Sequence, residues 1–167
     1  MVEQTVPSQT WEGTSSLSLL LAHHGTTGAR HAEALAFELA HRWSATIHHL
    51  LVVPAFWRDM MGDDWLNNAS TRQQFGHYLE DLLSREAQAH LRAVEEQCLA
   101  RNLPYTAQIR LGDPTDCLLE YARSLQPAMV VIGPQRPKGV PGFRCRMQIN
   151  TLLRGLTVPL MIAPWPP

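Results

Sequence analysis

Residues Pro127 to Pro164 read PAMVVIGPQRPKGVPGFRCRMQINTLLRGLTVPLMIAP, and the fold is decided there. A short apolar run, Ala128 to Ile132, leads into a loop rich in glycine, proline and arginine. An amphipathic helical pattern from Met147 to Leu156 follows, then a second apolar run from Val158 to Ala163. Strand, loop, helix, strand is a βαβ unit, and its strands are apolar on both faces, as buried parallel strands require. Parallel sheets of this kind bind ligands in the loops at the carboxyl ends of their strands. The loop after Ile132 is therefore the first candidate site.

Working outward, the same alternation recurs along the chain. Leu17 to Ala22 reads as strand one, and His23-His24-Gly25-Thr26-Thr27-Gly28 as the loop after it. Ala32, Leu35, Ala36, Leu39 and Trp43 recur at helical spacing, and Ile47 to Val53 forms strand two, ended by Pro54. Residues 54 to 69 have no clean period. Their Phe56, Trp57, Met60, Met61 and Trp65 suit a cover over a pocket, a contact surface for a partner, or a loop folded on its own side chains. Ser70 with Gln73 matches a capping box opening a long helix, whose buried stripe is Leu83, Ala87, Leu91, Val94 and Cys98 and whose end is set by Asn102 and Pro104. Tyr105 to Leu111 alternates apolar with polar residues, the pattern of an edge strand. Asp113 then caps a third helix, with Pro114 in its first turn.

Gly112-Asp113-Pro114, His24-Gly25-Thr26 and the 127–164 stretch together resemble the universal stress protein family, over residues 17 to 163. In that family a glycine ends strand four, a nucleotide-binding loop of the form G-x-x-G follows, and a later G-[ST] completes it. Gly133 keeps the first glycine, Arg136 stands at the second, and Arg146-Met147 replaces the closing pair; His24 stands where the family has an aspartate. The resemblance implies an α/β three-layer sandwich with a five-stranded parallel sheet in the order 3-2-1-4-5, of the adenine nucleotide alpha hydrolase-like kind. It also implies a homodimer through strand five, Val158 to Ala163. An uncovered apolar edge there would invite aggregation, so the physical argument asks for a second subunit as well.

Glycines in such a loop let backbone N–H groups cradle phosphates. Here Arg136 and Arg146 carry large side chains, and Pro134, Pro137 and Pro141 remove donors, so the ordinary ATP cradle is not expected. Arginine forks bind phosphate directly, so ATP or another phosphate-bearing anion remains a candidate ligand, and the guanidinium groups filling the crevice themselves is the other reading. The residues that would hold a ligand are Gly25, Gly133, Arg136, Lys138, Gly139 and Arg146, with His24 beside them. No Asp or Glu follows Glu120, whereas six basic residues do, and Lys138 is the only lysine. That basic end fits a local anion site or an acidic partner surface.

His23, His24, His48 and His49 raise the question of a metal. Read as the end of strand one and the start of strand two, the pairs would lie more than roughly 10 Å apart at about 3.3 Å per residue. With only His31 as a further ligand, no metal site is expected. Two enzyme classes share fragments of the pattern. His23-His24-Gly25-Thr26 resembles half of the H-x-G-H signature of nucleotidyltransferases, and a strand-end His-Gly-Thr resembles tetrapyrrole metal chelatases. Neither likeness extends to Gly112 through Ala163. A small nucleotide-dependent enzyme using His23 or His24 is thus the alternative to a regulatory binding protein without turnover.

The 167 residues make one domain, at residues 17–167, with residues 1–16 read as a polar leader. The formal net charge is −1 and charged residues make up 17 % of the chain, which is no general polyanion binder, so no nucleic-acid partner is expected. The three cysteines, Cys98, Cys117 and Cys145, form no C-x-x-C pair, which fits a reducing compartment. With no signal core or span legible in the apolar run Leu17 to Ala22, no membrane is expected and the expected location is the cytoplasm.

Overall fold

A computed structural model describes residues 17–23, 27–54, 69–135, 139 and 147–165. Among these residues five strands alternate with four helices: β1 (Ser18–His23), α1 (Thr27–Trp43), β2 (Thr46–Pro54), α2 (Ala69–Ala100), β3 (Tyr105–Gly112), α3 (Pro114–Leu125), β4 (Met129–Ile132), α4 (Ile149–Gly155) and β5 (Leu160–Ile162). The strands form one parallel sheet in the order β3-β2-β1-β4-β5, as expected. Crossover helices cover both faces. Leu19, Leu21 and Ile47 point towards α1 and α2, where they meet Ala32, Ala36, Val94 and Cys98. Leu20, Ala22, Leu50 and Val130 point the other way, onto Leu118, Ala122 and Leu152 of α3 and α4. Two buried faces explain why the central strands read as unbroken apolar runs.

The helix boundaries follow from local chemistry. Asp113 accepts hydrogen bonds from the backbone N–H groups of Thr115 (2.8 Å) and Asp116 (3.1 Å), with Pro114 directly behind it. Helix α1 stops at Ser44, left-handed with φ 49°, and α2 stops at Asn102, with φ 53°. In each case the next amide closes the end, Ala45 N–H to Ala40 O and Leu103 N–H to Cys98 O, both at 2.9 Å. Ala87, Leu91, Val94 and Cys98 form the buried stripe of α2; the side chain of Leu83 lies outside the described set.

The side chain of Ser70, expected to cap α2, lies outside the described set. Three expectations need correcting. Trp43, at the helical spacing of the buried Ala32 and Ala36, is itself exposed at the last residue of α1. Helix α4 begins at Ile149 and not Met147, since Met147 is drawn into the core and the Gln148 N–H donates to Thr115 Oγ1 at 3.0 Å. Strand β5 is shorter than expected, at Leu160–Ile162; Pro159 has no N–H to give the ladder at its start, although Pro159 O and Ala163 N–H still bond to β4 on either side. The expected leader at 1–16 and most of the 54–69 connection lie outside the described residues. Among the described residues, no helix is long and apolar enough to cross a membrane.

Candidate functional site

In an open α/β sheet the ligand crevice opens where neighbouring strands send their connections in opposite directions. Here that place lies between β1 and β4, whose helices cover opposite faces. Gly133 follows β4 directly and comes against the first turn of α1. A Cβ added at Gly133 would stand 3.1 Å from the Gly28 carbonyl oxygen and 3.3 Å from the Ala29 nitrogen. The approach is mutual, since a Cβ on Gly28 would meet the Pro134 ring at 3.0 Å. The floor of the crevice is thus backbone packed on backbone. Gly139 lies further along the loop in open space, with φ 88°. Of the expected binding residues, Gly133 and Gly139 are placed; His24, Gly25, Arg136, Lys138 and Arg146 lie outside the described residues.

A second constellation occupies the α1–α2 side of the sheet and includes two of the histidines weighed above for a metal, where none was expected. Along β1, His23 has the parity of Leu19 and Leu21; along β2, His49 has the parity of Ile47 and Leu51. Both rings therefore face the same helices. The register pairs His23 with Leu51 and His49 with Leu21, an offset of two residues. Their ring centroids are 4.4 Å apart. The expected separation of the two histidine pairs is thus wrong, because β2 outruns β1 and His49 lies well inside the paired stretch. The other expected candidates do not join. His48 points to the opposite face of β2 and pairs with Thr106 Oγ1 at 2.8 Å, and His31 is not part of the group.

The helices complete the cluster. Glu33 of α1, buried among the alanines of that helix, brings Oε1 to 3.0 Å from His23 Nε2 and 2.8 Å from His90 Nε2 of α2. His49 Nδ1 is 2.8 Å from the Tyr105 hydroxyl of β3. Its Nε2 is buried without a hydrogen-bond partner, on a residue with 0 % exposure. The candidate ligand nitrogens of His23, His49 and His90 all lie within 4.8 Å of one another.

Burial governs the charge states. It lowers His23 against the opposing pull of Glu33, and lowers His49 well below the usual imidazole range, helped by the neighbouring histidines. Burial alone would raise Glu33, but hydrogen bonds from His23 and His90 outweigh it and hold the carboxyl at about 2. Burial also keeps the Tyr105 phenol protonated. The result is a carboxylate facing imidazoles. Beside it, a groove of about 760 Å³ between α1 and α2, lined by Arg30, Glu33, Phe37, His41, His90 and Arg101 among others, opens the Glu33–His90 side to the surface.

Comparison with known proteins agrees with the fold. A structure of a universal stress protein family member from Burkholderia pseudomallei is 22 % identical and superposes with a TM-score of 0.66 over 92 % of this chain and 100 % of that one. UspA from Lactobacillus plantarum is 15 % identical, with a TM-score of 0.64, covering 91 % and 100 %. A universal stress protein from Archaeoglobus fulgidus, solved in complex with dAMP, is 12 % identical, with a TM-score of 0.58, covering 89 % and 98 %. No curated protein sequence matches significantly. At these identities the structures speak for the fold alone. The family's own sequence model matches residues 18–164, almost the whole described length, and on that ground the chain belongs to the universal stress protein family.

Proposed function

We propose that the chain is a dimeric regulatory binding protein of the stress response, acting in the cytoplasm, whose nucleotide crevice does not take ATP in the ordinary family manner. The observation that carries this reading is the contact of Gly133 and Pro134 with Gly28. The glycine after β4 is spent on backbone packing against α1, and the next residue has no N–H to offer a phosphate. Arg136 and Arg146 replace the remaining small residues of the cradle. The aromatic stretch at 54–69 is the segment we assign to a protein partner. The reading as a small enzyme loses support at His23, which is 3 % exposed and held by Glu33.

Calorimetric titration with ATP, with and without magnesium, tests the proposal. The expected result is no micromolar binding to a protein shown to be folded by circular dichroism. Micromolar binding that disappears in Arg136→Ala and Arg146→Ala would overturn it and show that guanidinium groups have taken over the cradle.

A further inference from the structure

We propose that His23, His49 and His90, with Glu33, form a binding site for a divalent transition-metal ion of zinc type, on the α1–α2 side of the sheet. The site does not depend on the nucleotide crevice, and the two proposals stand or fall separately.

The donor set is the first argument. Imidazole nitrogens with a carboxylate suit zinc and its neighbours in the first transition row, and three histidines with a further oxygen ligand is a common zinc arrangement. Tetrahedral coordination at about 2.0–2.1 Å places ligand nitrogens about 3.4 Å apart. From the present limit of 4.8 Å that spacing is reached by inward movements of about 1 Å or less at each ligand, within the reach of ring rotations. Glu33 Oε1 already lies between His23 and His90, where it can serve as the fourth ligand or leave that place to a water.

The second argument is His49. A polar network in an apolar layer ordinarily satisfies all its members. Glu33 serves His23 and His90, and Tyr105 serves Nδ1 of His49, yet Nε2 of the same ring is fully buried and unpartnered. In the tautomer that donates Nδ1–H to the phenol oxygen, which the proposal assigns to His49, Nε2 carries the lone pair. An orienting group behind one ring nitrogen and a free lone pair at the other is how metal-binding histidines are held. A cation there also meets the carboxylate of Glu33, and the groove beside His90 gives it a route in.

The test uses the full chain purified without a histidine tag. After dialysis against chelator, the protein is titrated with Co2+ and followed by the visible absorption of four-coordinate cobalt, then challenged with Zn2+. Expected are a single equivalent of cobalt, its displacement by zinc, and a higher melting temperature with metal. Tyr105→Phe should weaken binding about 10- to 100-fold while keeping the stoichiometry, the size seen when an orienting group is lost. His90→Ala, at the accessible edge of the cluster, should abolish the four-coordinate spectrum, whereas His31→Ala should leave it unchanged. If His49→Ala fails to fold, His90→Ala and Tyr105→Phe still decide the matter. A folded wild-type protein that takes up neither ion would overturn the proposal, as would uptake that survives His90→Ala undiminished.

Discussion

Gly133 and Gly155 are the same residue in opposite circumstances. A methyl group at Gly133 would press on backbone atoms of Gly28 and Ala29, which are fixed by α1. At Gly155 it would press on the Cδ atoms of Leu119, at 2.9 and 3.0 Å, which are ends of a flexible side chain. Gly133→Ala should therefore destabilise by about 1–3 kcal/mol through overpacking. Gly155→Ala should cost less, since Leu119 can rotate aside. Urea denaturation of the two variants measures the difference, and equal losses would refute the assignment of Gly133 as a packing glycine. At this scale the sequence was least readable. His23 and His49 are on the page as residues, but their meeting depends on a two-residue offset between strands, and strand ends read from apolar runs carry errors of that size. Glu33 and His90 stand at the flanks of helical stripes whose apolar members carry the period. Only the parity of His23 with Leu21, and of His49 with Ile47, announced a shared face.

Among the elements, boundaries set by side-chain chemistry were legible and those set by tertiary pull were not. Asp113 and Asn102 name the start of α3 and the end of α2, because a cap and a left-handed residue act locally. The start of α4 depends on Met147 being drawn into a core built from α3 and the sheet, which no local pattern encodes. The Asp113 cap gives a clean prediction. Asp113→Ala leaves two amides of the first turn of α3 without their acceptor and should cost about 1–2 kcal/mol in chemical denaturation. Asp113→Asn, which retains a side-chain oxygen, should recover most of it. Loss of stability equal in both variants would mean that charge and not capping is at work. The alternation of buried parallel strands with amphipathic crossovers was legible from the pattern, whereas the strand order came with the family resemblance and agreed with pattern only at the half-polar edge strand β3.

For the whole molecule, the outer side of β5 matters most, which among the described residues has no neighbouring strand. Ile162 is 42 % exposed on an edge strand, and Leu153 of the adjoining α4 is 62 % exposed. A second subunit laid along β5 would cover that edge. We expect sedimentation at micromolar concentration to report a dimer, and Ile162→Lys to yield a folded monomer with an unchanged far-ultraviolet spectrum. A wild-type monomer at that concentration would remove the dimer from the proposed function. The order β3-β2-β1-β4-β5 has a further consequence, for the chain while it is being made. β1 lies at the centre, yet the neighbour on one of its sides, Met129–Ile132, is synthesised last but one among the strands. At about 5–20 residues per second, roughly 5–20 s pass between the emergence of His23 and that of Met129. Throughout that interval β1 lacks that neighbour, and an apolar strand still open along one flank is what a chaperone would be needed to shield.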